Sequence, residues 1–222
     1  MSTIQINCRA ILSDVDGTLI DSLQCVDYAW ENWATNHELD IEYIKKNAHG
    51  MRTADSLKFL VPHLDLATEM KALEDLECSV TTGLVEIEGA KKFLASLPNG
   101  HWAIVTSGSR RLANFRLGHV GLPRPPVFVT ADDVTIGKPD PQCYLKAAKG
   151  LGIDPVDCVI LEDSPNGIKA GKAAGARVIA IGVSSADHDI SAADFVVHDL
   201  TKLRVVSTSD GTMTISLNTS AK

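Results

Sequence analysis

Six short apolar runs are the feature that most limits how this chain can fold. They lack polar alternation, which predicts strands covered on both faces, as in a parallel sheet. Helical patterns lie between several of them, and strands that alternate with helices predict an α/β fold with a Rossmann-like, doubly wound parallel sheet. The predicted strands are Ala10–Leu12, Trp102–Val105, Val127–Val129, Cys158–Leu161, Val178–Ile181 and Phe195–Val197, and the clearest helices are Gly89–Leu97, Arg110–His119, Pro141–Leu151 and Asn166–Ala174.

The region from residue 22 to residue 86 interrupts this alternation. It contains no convincing strand, and its apolar residues recur at helical spacing. We therefore predict a helical cap subdomain at 22–86, inserted into a core formed by 1–21 and 87–222. Trp30 and Trp33 are expected to pack between helices of this cap rather than to form a ligand cage.

The C-terminal segment has a different pattern. Residues 204–217 alternate around the dipeptide Asp210-Gly211. Alternation around Asp-Gly predicts a short β-hairpin with a type I′ turn, because both turn positions need a positive φ. We find no chemistry in this hairpin.

The charge of the chain limits its partners. The 222 residues carry a formal net charge of −7, which argues against a nucleic-acid-binding surface. No run of Lys and Arg suggests an anionic membrane surface either. An anionic substrate would have to be attracted by cations placed locally in its binding cleft.

The cysteines and the N-terminus predict a cytoplasmic protein. The five cysteines are scattered without a CxxC spacing, which is typical of reduced thiols. No apolar stretch approaches the length of about 18 residues that spans a bilayer, and residues 1–5 lack a signal-sequence pattern. We expect no membrane partner.

Two acidic residues, Asp14 and Asp16, stand at the end of the first predicted strand. Burying a charged group costs free energy unless a partner or a metal ion compensates it. In an open α/β sheet, ligands bind at the carboxyl ends of the strands. The position and the chemistry together predict an active site that holds a cation.

Three further sets of polar residues follow predicted strands. Taken singly, each has an ordinary explanation, such as a helix N-cap, an exposed lysine or a capping aspartate. Their recurrence at one edge of a single sheet favours a shared site. The sets are Thr106-Ser107-Gly108-Ser109, Lys138 within Gly137-Lys138-Pro139, and Glu162-Asp163.

The order and spacing of these residues resemble the haloacid dehalogenase-like superfamily. Its first motif, DxDGT, is similar to residues 14–18, and the later Ser or Thr, Lys and acidic pair are all present. The helical insertion resembles the cap of the β-phosphoglucomutase-like branch. The stretches 49–53, 102–109 and 137–139 resemble the sugar-phosphate and polyol-phosphate phosphatases of that branch, such as 2-deoxyglucose-6-phosphate, hexitol-phosphate and glycerol-phosphate phosphatases.

This resemblance implies a role for each core residue. Asp14 is expected to be the nucleophile that forms an aspartyl-phosphate, and Asp16 the general acid and then the general base. Lys138 would neutralise the nucleophile and the phosphate. Ser107, Gly108 and the helix start after them would bind phosphate oxygens, with Thr106 at the beginning of that motif.

The implied cofactor is Mg²⁺, which prefers hard oxygen ligands. The carboxylates of Asp14 and Asp163 and the backbone carbonyl of Asp16 are expected to bind it. Glu162 is expected to hold a metal-bound water rather than the metal.

The cap is expected to supply specificity. His49 and Arg52 are the candidates for contact with the sugar or polyol. The alternatives are that His49 ends a cap helix and that Arg52 is solvated.

The function expected is Mg²⁺-dependent hydrolysis of a small phosphorylated metabolite by a monomeric phosphatase. A sugar-phosphate mutase is the alternative, although the mutases carry a His where this chain has Val26. A non-catalytic binding protein of the same fold is a further alternative. Lys45 and Lys46 leave phosphonate hydrolysis open.

Overall fold

The computed structural model describes residues 2–48, 52–182 and 189–219. No helix in these ranges has both the length and the apolar character needed to cross a membrane. The strands are β1 (Ser2–Cys8), β2 (Ala10–Ser13), β3 (Ile20–Asp21), β4 (Val85–Glu86), β5 (Trp102–Val105), β6 (Phe128–Val129), β7 (Cys158–Glu162), β8 (Arg177–Ile181), β9 (Phe195–Val197), β10 (Leu203–Ser209) and β11 (Thr212–Thr219). The α-helices are α1 (Leu23–Asn36), α2 (Ile41–Ala48), α3 (Thr53–Leu60), α4 (Leu66–Ser79), α5 (Ala90–Ser96), α6 (Arg110–Val120), α7 (Gln142–Leu151) and α8 (Pro165–Ala173).

Six strands form the parallel sheet that the apolar runs predicted. Their order is β6-β5-β2-β7-β8-β9, and every neighbouring pair is parallel. Alternate residues of β2 face opposite layers: Ile11 belongs to one buried cluster and Leu12 to the other. The prediction of a doubly wound α/β fold is therefore confirmed.

The centre of this sheet is a topological switch point. From β2 the chain reaches β5 and β6 on one side, and only then β7, β8 and β9 on the other side. A crevice forms at the carboxyl end of β2, where the connections diverge. Polar residues that follow β2, β5 and β7 therefore converge there.

Among the described residues between β3 and β4, four helices bury a core of their own. Trp33 and Leu73 are almost fully buried in this cluster, together with Trp30. The indole of Trp33 also donates a hydrogen bond to Glu69 at 2.7 Å. Packing of both tryptophans between helices is thus confirmed, while the boundaries assigned to the cap remain a prediction.

The C-terminal hairpin forms as predicted, but it belongs to a larger sheet. Asp210 and Gly211 both have positive φ, at 49° and 73°, and they join β10 to β11. Strand β11 also pairs along its length with β1, which gives the antiparallel order β1-β11-β10. Strand β1 was not predicted, because residues 2–8 hold only a short alternation of Ile4, Ile6 and Cys8.

Ile215 is expected to anchor this second sheet. It is fully buried, lies in the central strand and pairs with Ile6 on one side and Val205 on the other. Replacing it with Ala should lower the free energy of unfolding by about 2–5 kcal/mol, because the change leaves a cavity. Urea denaturation measures this loss, with the exposed Ser207→Ala as the control. Equal stability of the two variants would contradict the anchoring role.

Candidate active site

Three strand ends and one loop bring the predicted core residues together. Asp14 directly follows β2, Thr106 follows β5 and Asp163 follows β7. Lys138 arrives from the loop between β6 and α7, and its ammonium lies 2.6 Å from Asp14 Oδ1. These residues therefore share one crevice at the switch point of the sheet.

Lys138 is buried between two carboxylates. Its Nζ donates to Asp14 and also to Glu162 Oε1 at 2.5 Å, with a longer contact of 3.4 Å to the Val105 carbonyl. Burial disfavours its charge, but the carboxylates of Asp14 and Glu162 raise the pKa of Lys138 above its ordinary value. Lys138 is therefore a fixed positive charge beside the proposed nucleophile.

Glu162 is held by donors on both of its oxygens. The Tyr144 hydroxyl donates to Oε1 at 2.7 Å, and the backbone N–H groups of Asp163 and Ser164 and the Ser164 hydroxyl donate to Oε2. Burial opposes ionisation of Glu162, but Lys138 and these hydrogen bonds lower its pKa. These contacts fix Lys138 beside Glu162, and the expected role of Glu162 in holding a metal-bound water stays a prediction.

Gly167 leaves the space that Glu162 occupies. A Cβ on this glycine, in the first turn of α8, would lie 1.8 Å from Glu162 Oε1. Ser164, the N-cap of α8, accepts from the Gly167 N–H while its hydroxyl donates to Glu162. The start of α8 is therefore shaped around this buried carboxylate.

The acidic cluster fits a divalent cation. Oxygens of Asp14, Glu162 and Asp163 lie within 4.8 Å of one another. Three carboxylates and one ammonium sum to a charge of −2 when all are ionised. Carboxylate oxygens are the ligands that hard cations such as Mg²⁺ prefer.

Burial and the neighbouring carboxylates raise the pKa values of two of these acids. Burial raises the pKa of Asp14 to about 8; Lys138 opposes this, and the charges of Glu162 and Asp16 add to it. Burial and then the charges of Glu162 and Asp14 raise the pKa of Asp163 well above its ordinary value. A bound cation would relieve this repulsion.

Asp163 accepts a long hydrogen bond from the protein, and its carboxylate lies where a side chain on Gly17 would stand. Its Oδ1 accepts from the Thr18 hydroxyl at 3.4 Å. Gly17 has φ +81°, and a Cβ there would lie 2.0 Å from Asp163 Oδ2. The glycine of the first motif thus provides both the left-handed turn after Asp16 and the room for Asp163.

Asp16 is oriented by two residues that the sequence analysis missed. Arg116 contacts its Oδ1 at 2.7 Å, and the Ser22 hydroxyl donates to the same oxygen at 2.8 Å. A signal for Arg116 was available, because it shares the buried face of α6 with Leu112 and Leu117. A basic residue on an apolar helical face predicts a buried acidic partner.

The loop after β5 has a polar framework. The Thr106 hydroxyl, predicted to lie at the phosphate site, accepts from the Gly108 N–H at 3.0 Å. Ser109 is the N-cap of α6, and its hydroxyl also donates to Glu74 of α4. Ser107 lies between them, half-buried, and faces a pocket.

That pocket lies between α3 and α4 on one side and the loop after β5 on the other. The pocket has carboxylates, hydroxyls and a guanidinium beside apolar side chains. Its lining includes Arg52, Met70, Glu74, Glu77, Ser107 and Ser109.

Arg52 lines this pocket, but its guanidinium is already engaged. It donates to both oxygens of Asp55 and to the carbonyls of Val134 and Thr135, all at 2.7–2.9 Å. The alternative of a solvated Arg52 is wrong, because the residue is buried. Its contact with substrate remains a prediction, and His49 lies outside the described residues.

Known proteins are similar to this chain over most of its length. Residues 8–175 match the model of the haloacid dehalogenase-like hydrolases. The chain is 40% identical to hexitol phosphatase A of Escherichia coli over 94% of the chain and 99% of the relative. It is 35% identical to 2-deoxyglucose-6-phosphate phosphatase 2 of Saccharomyces cerevisiae, over 96% and 97%.

A solved structure supports the same fold. CbbY from Rhodobacter sphaeroides, in complex with phosphate, superposes with a TM-score of 0.76 at 23% identity. The similarity covers 88% of this chain and 96% of that one. At this level of identity the comparison concerns the fold alone.

Tyr144→Phe is expected to destabilise the protein by about 1.5–3 kcal/mol, because Glu162 loses a donor to a buried charge. Burial, and then the charge of Glu162, raises the pKa of the Tyr144 phenol well above its ordinary value, so the hydroxyl stays a donor. Chemical denaturation measures the loss. The exposed Tyr28→Phe is the control, and a Tyr144 variant as stable as this control would refute the contact's importance.

Proposed function

Because the chain belongs to the haloacid dehalogenase-like hydrolases, we propose that it is a phosphatase of small phosphorylated sugars or polyols. The observation that carries this proposal is the contact of 2.6 Å between Asp14 and Lys138, in a crevice that also holds Asp163 and Asp16. A carboxylate beside a fixed cation can approach an anionic phosphate that would otherwise repel it. The two relatives named above are phosphatases of a hexitol and of a deoxysugar.

In the first step, an oxygen of Asp14 attacks phosphorus and the bond from phosphorus to the alcohol oxygen breaks. The alcohol leaves with a proton given by Asp16. In the second step, Asp16 takes a proton from a water molecule that attacks the aspartyl-phosphate. Inorganic phosphate leaves, and the Asp14 carboxylate is regenerated.

The remaining core residues bind and orient the phosphate. Lys138 balances its charge, and Ser107 with nearby N–H groups at the start of α6 would bind its oxygens. Thr106 and Gly108 support this loop through their mutual hydrogen bond. A Mg²⁺ ion held by Asp14, Asp163 and the Asp16 carbonyl would supply charge neutralisation.

The helical segment 22–86 is proposed to act as a cap that encloses the substrate. The pocket beside Ser107 lies between its helices α3 and α4 and the core, and polar side chains line it. Arg52 joins α3 to the loop that leads into Lys138. Exclusion of bulk water in this space would protect the aspartyl-phosphate during transfer.

Hydrolysis is proposed in preference to transfer onto a second sugar. Val26 stands where the mutases of the resembled branch carry a His, and its side chain packs against the cap core. That position therefore offers no group that could hold or move a proton. We further propose that the enzyme is a cytoplasmic monomer.

Phosphate release from p-nitrophenyl phosphate, with and without Mg²⁺, tests the activity. Asp14→Asn is expected to abolish release, because the amide cannot act as the nucleophile. Asp157→Asn, a substitution of a half-exposed acid, serves as the control and should retain activity. No release by the wild-type enzyme under either condition, or near-normal release by Asp14→Asn, would refute the proposal.

A panel of esters compared by kcat/KM tests the substrate class. Hexitol phosphates, 2-deoxyglucose 6-phosphate and glycerol 1-phosphate are expected to exceed phosphorylated nucleosides and amino acids. A higher kcat/KM for phosphorylated nucleosides or for phosphorylated amino acids would contradict the assignment.

Mg²⁺ is expected to stabilise the folded protein. An ion that binds only the folded state adds about 2.7 kcal/mol at one hundred times its Kd, which raises the thermal midpoint. Asp163→Asn should lose most of this shift, whereas Asp157→Asn should keep it. The ligand assignment fails if Asp163→Asn responds to Mg²⁺ as the wild type does.

A further inference from the structure

We propose that Arg116 is a positioning residue that holds Asp16 for proton transfer, and that Glu77 links this position to the cap. The inference rests on the proposed function, in which Asp16 is the general acid and base. It concerns a residue of α6 that belongs to neither the first motif nor the acidic pair.

Arg116 bridges the core and the cap through two carboxylates. Its Nη1 contacts Asp16 Oδ1 at 2.7 Å and its Nη2 contacts Glu77 Oε1 at 3.2 Å. Glu77 lies near the end of α4 and is itself buried. One planar guanidinium therefore couples the proposed proton donor to a cap helix.

The contact leaves one oxygen of Asp16 available. Oδ1 is occupied by Arg116 and by the Ser22 hydroxyl. Oδ2 lies 3.9 Å from where a Cβ on Gly108 would stand, so it faces the loop proposed to bind phosphate. Arg116 thereby selects which carboxylate oxygen meets the leaving group.

Stability alone does not account for this arginine. The side chain is 3% exposed, and within the described residues nothing accepts a hydrogen bond from its Nε. Its neighbours on the same helical face include Leu112 and Leu117. Replacing a buried ion pair with apolar residues of similar volume is often neutral or stabilising, so an apolar residue would suit this face.

A second arginine of α6 provides an internal comparison. Arg111 also joins α6 to α4, through Glu74 and Asp75 at 2.7 Å each. It is half-exposed, and no contact to Asp16 is recorded among the residues described. Arg111 and Arg116 therefore make similar links between core and cap, of which only the second involves the proton donor.

The dependence of kcat/KM on the leaving group is the readout. This parameter covers the steps up to release of the alcohol, so the later hydrolysis of aspartyl-phosphate does not enter it. p-Nitrophenolate is a stable anion that leaves without a proton, whereas the alkoxide of a hexitol needs one from Asp16. Poor positioning of Asp16 must therefore slow hexitol phosphate more than p-nitrophenyl phosphate.

The variants are Arg116→Lys and the double variant Arg116→Met/Glu77→Gln, which removes both buried charges. General acid catalysis contributes about 10²–10⁴-fold, so we expect a loss at least about tenfold larger for hexitol phosphate than for p-nitrophenyl phosphate. The control Arg111→Met should change both substrates by the same factor. Thermal midpoints identify which variants are folded, and Arg116→Lys keeps the test valid if the double variant is not.

Asp16→Asn separates the inference from the proposed function. If Asp16→Asn slows both esters equally, the assignment of Asp16 as proton donor fails, and the inference fails with it. If Asp16→Asn is selective but the folded Arg116 variants are not, Arg116 is only structural and the inference alone is overturned. Glu77→Gln should show an intermediate selectivity; a wild-type pattern would overturn the link to the cap.

Discussion

The burial of Lys138 between Asp14 and Glu162 is the interaction on which the rest of the site depends. The buried ammonium of Lys138 is compensated by both carboxylates, and it compensates their negative charge in return. The hydroxyls of Tyr144 and Ser164 donate hydrogen bonds to Glu162. The position of Lys138 therefore depends on α7 and on the start of α8. Removing Lys138 would leave the carboxylates of Asp14 and Glu162 without their cation beneath the sheet edge.

This charge arrangement also explains the form of the first motif. The three carboxylates around Lys138 carry an excess of negative charge. Because Gly17 has no side chain, the Asp163 carboxylate can lie close to this cluster. A cation held by Asp14 and Asp163 would relieve the repulsion between these carboxylates and neutralise the excess negative charge. The overall net charge of −7 would then not by itself repel a phosphate ester from the site.

The central sheet and the polar residues at its edge could be predicted from the sequence because both have local signals. Continuous apolar runs mark strands buried on two faces, and the polar residues that follow them meet wherever parallel strands end together. Arg116 carries a local signal as a basic residue on an apolar helical face, but its partners Asp16 and Glu77 are distant along the chain and reach it only in the folded protein. The contact of Arg52 with a sugar or polyol stays a prediction, and its hydrogen bonds to two backbone carbonyls of the core depend on how α3 lies against a loop. Such contacts have no periodicity to reveal them.

The pairing of β1 with β11 has a consequence for how the protein is made. Ser2 lies opposite Thr219, and each following residue of β1 pairs with a residue of the last strand. During synthesis, β1 leaves the ribosome first but cannot complete its ladder until β11 has emerged. The backbone groups of β1 that pair with β11 therefore stay unpaired until residues 212–219 have been synthesised.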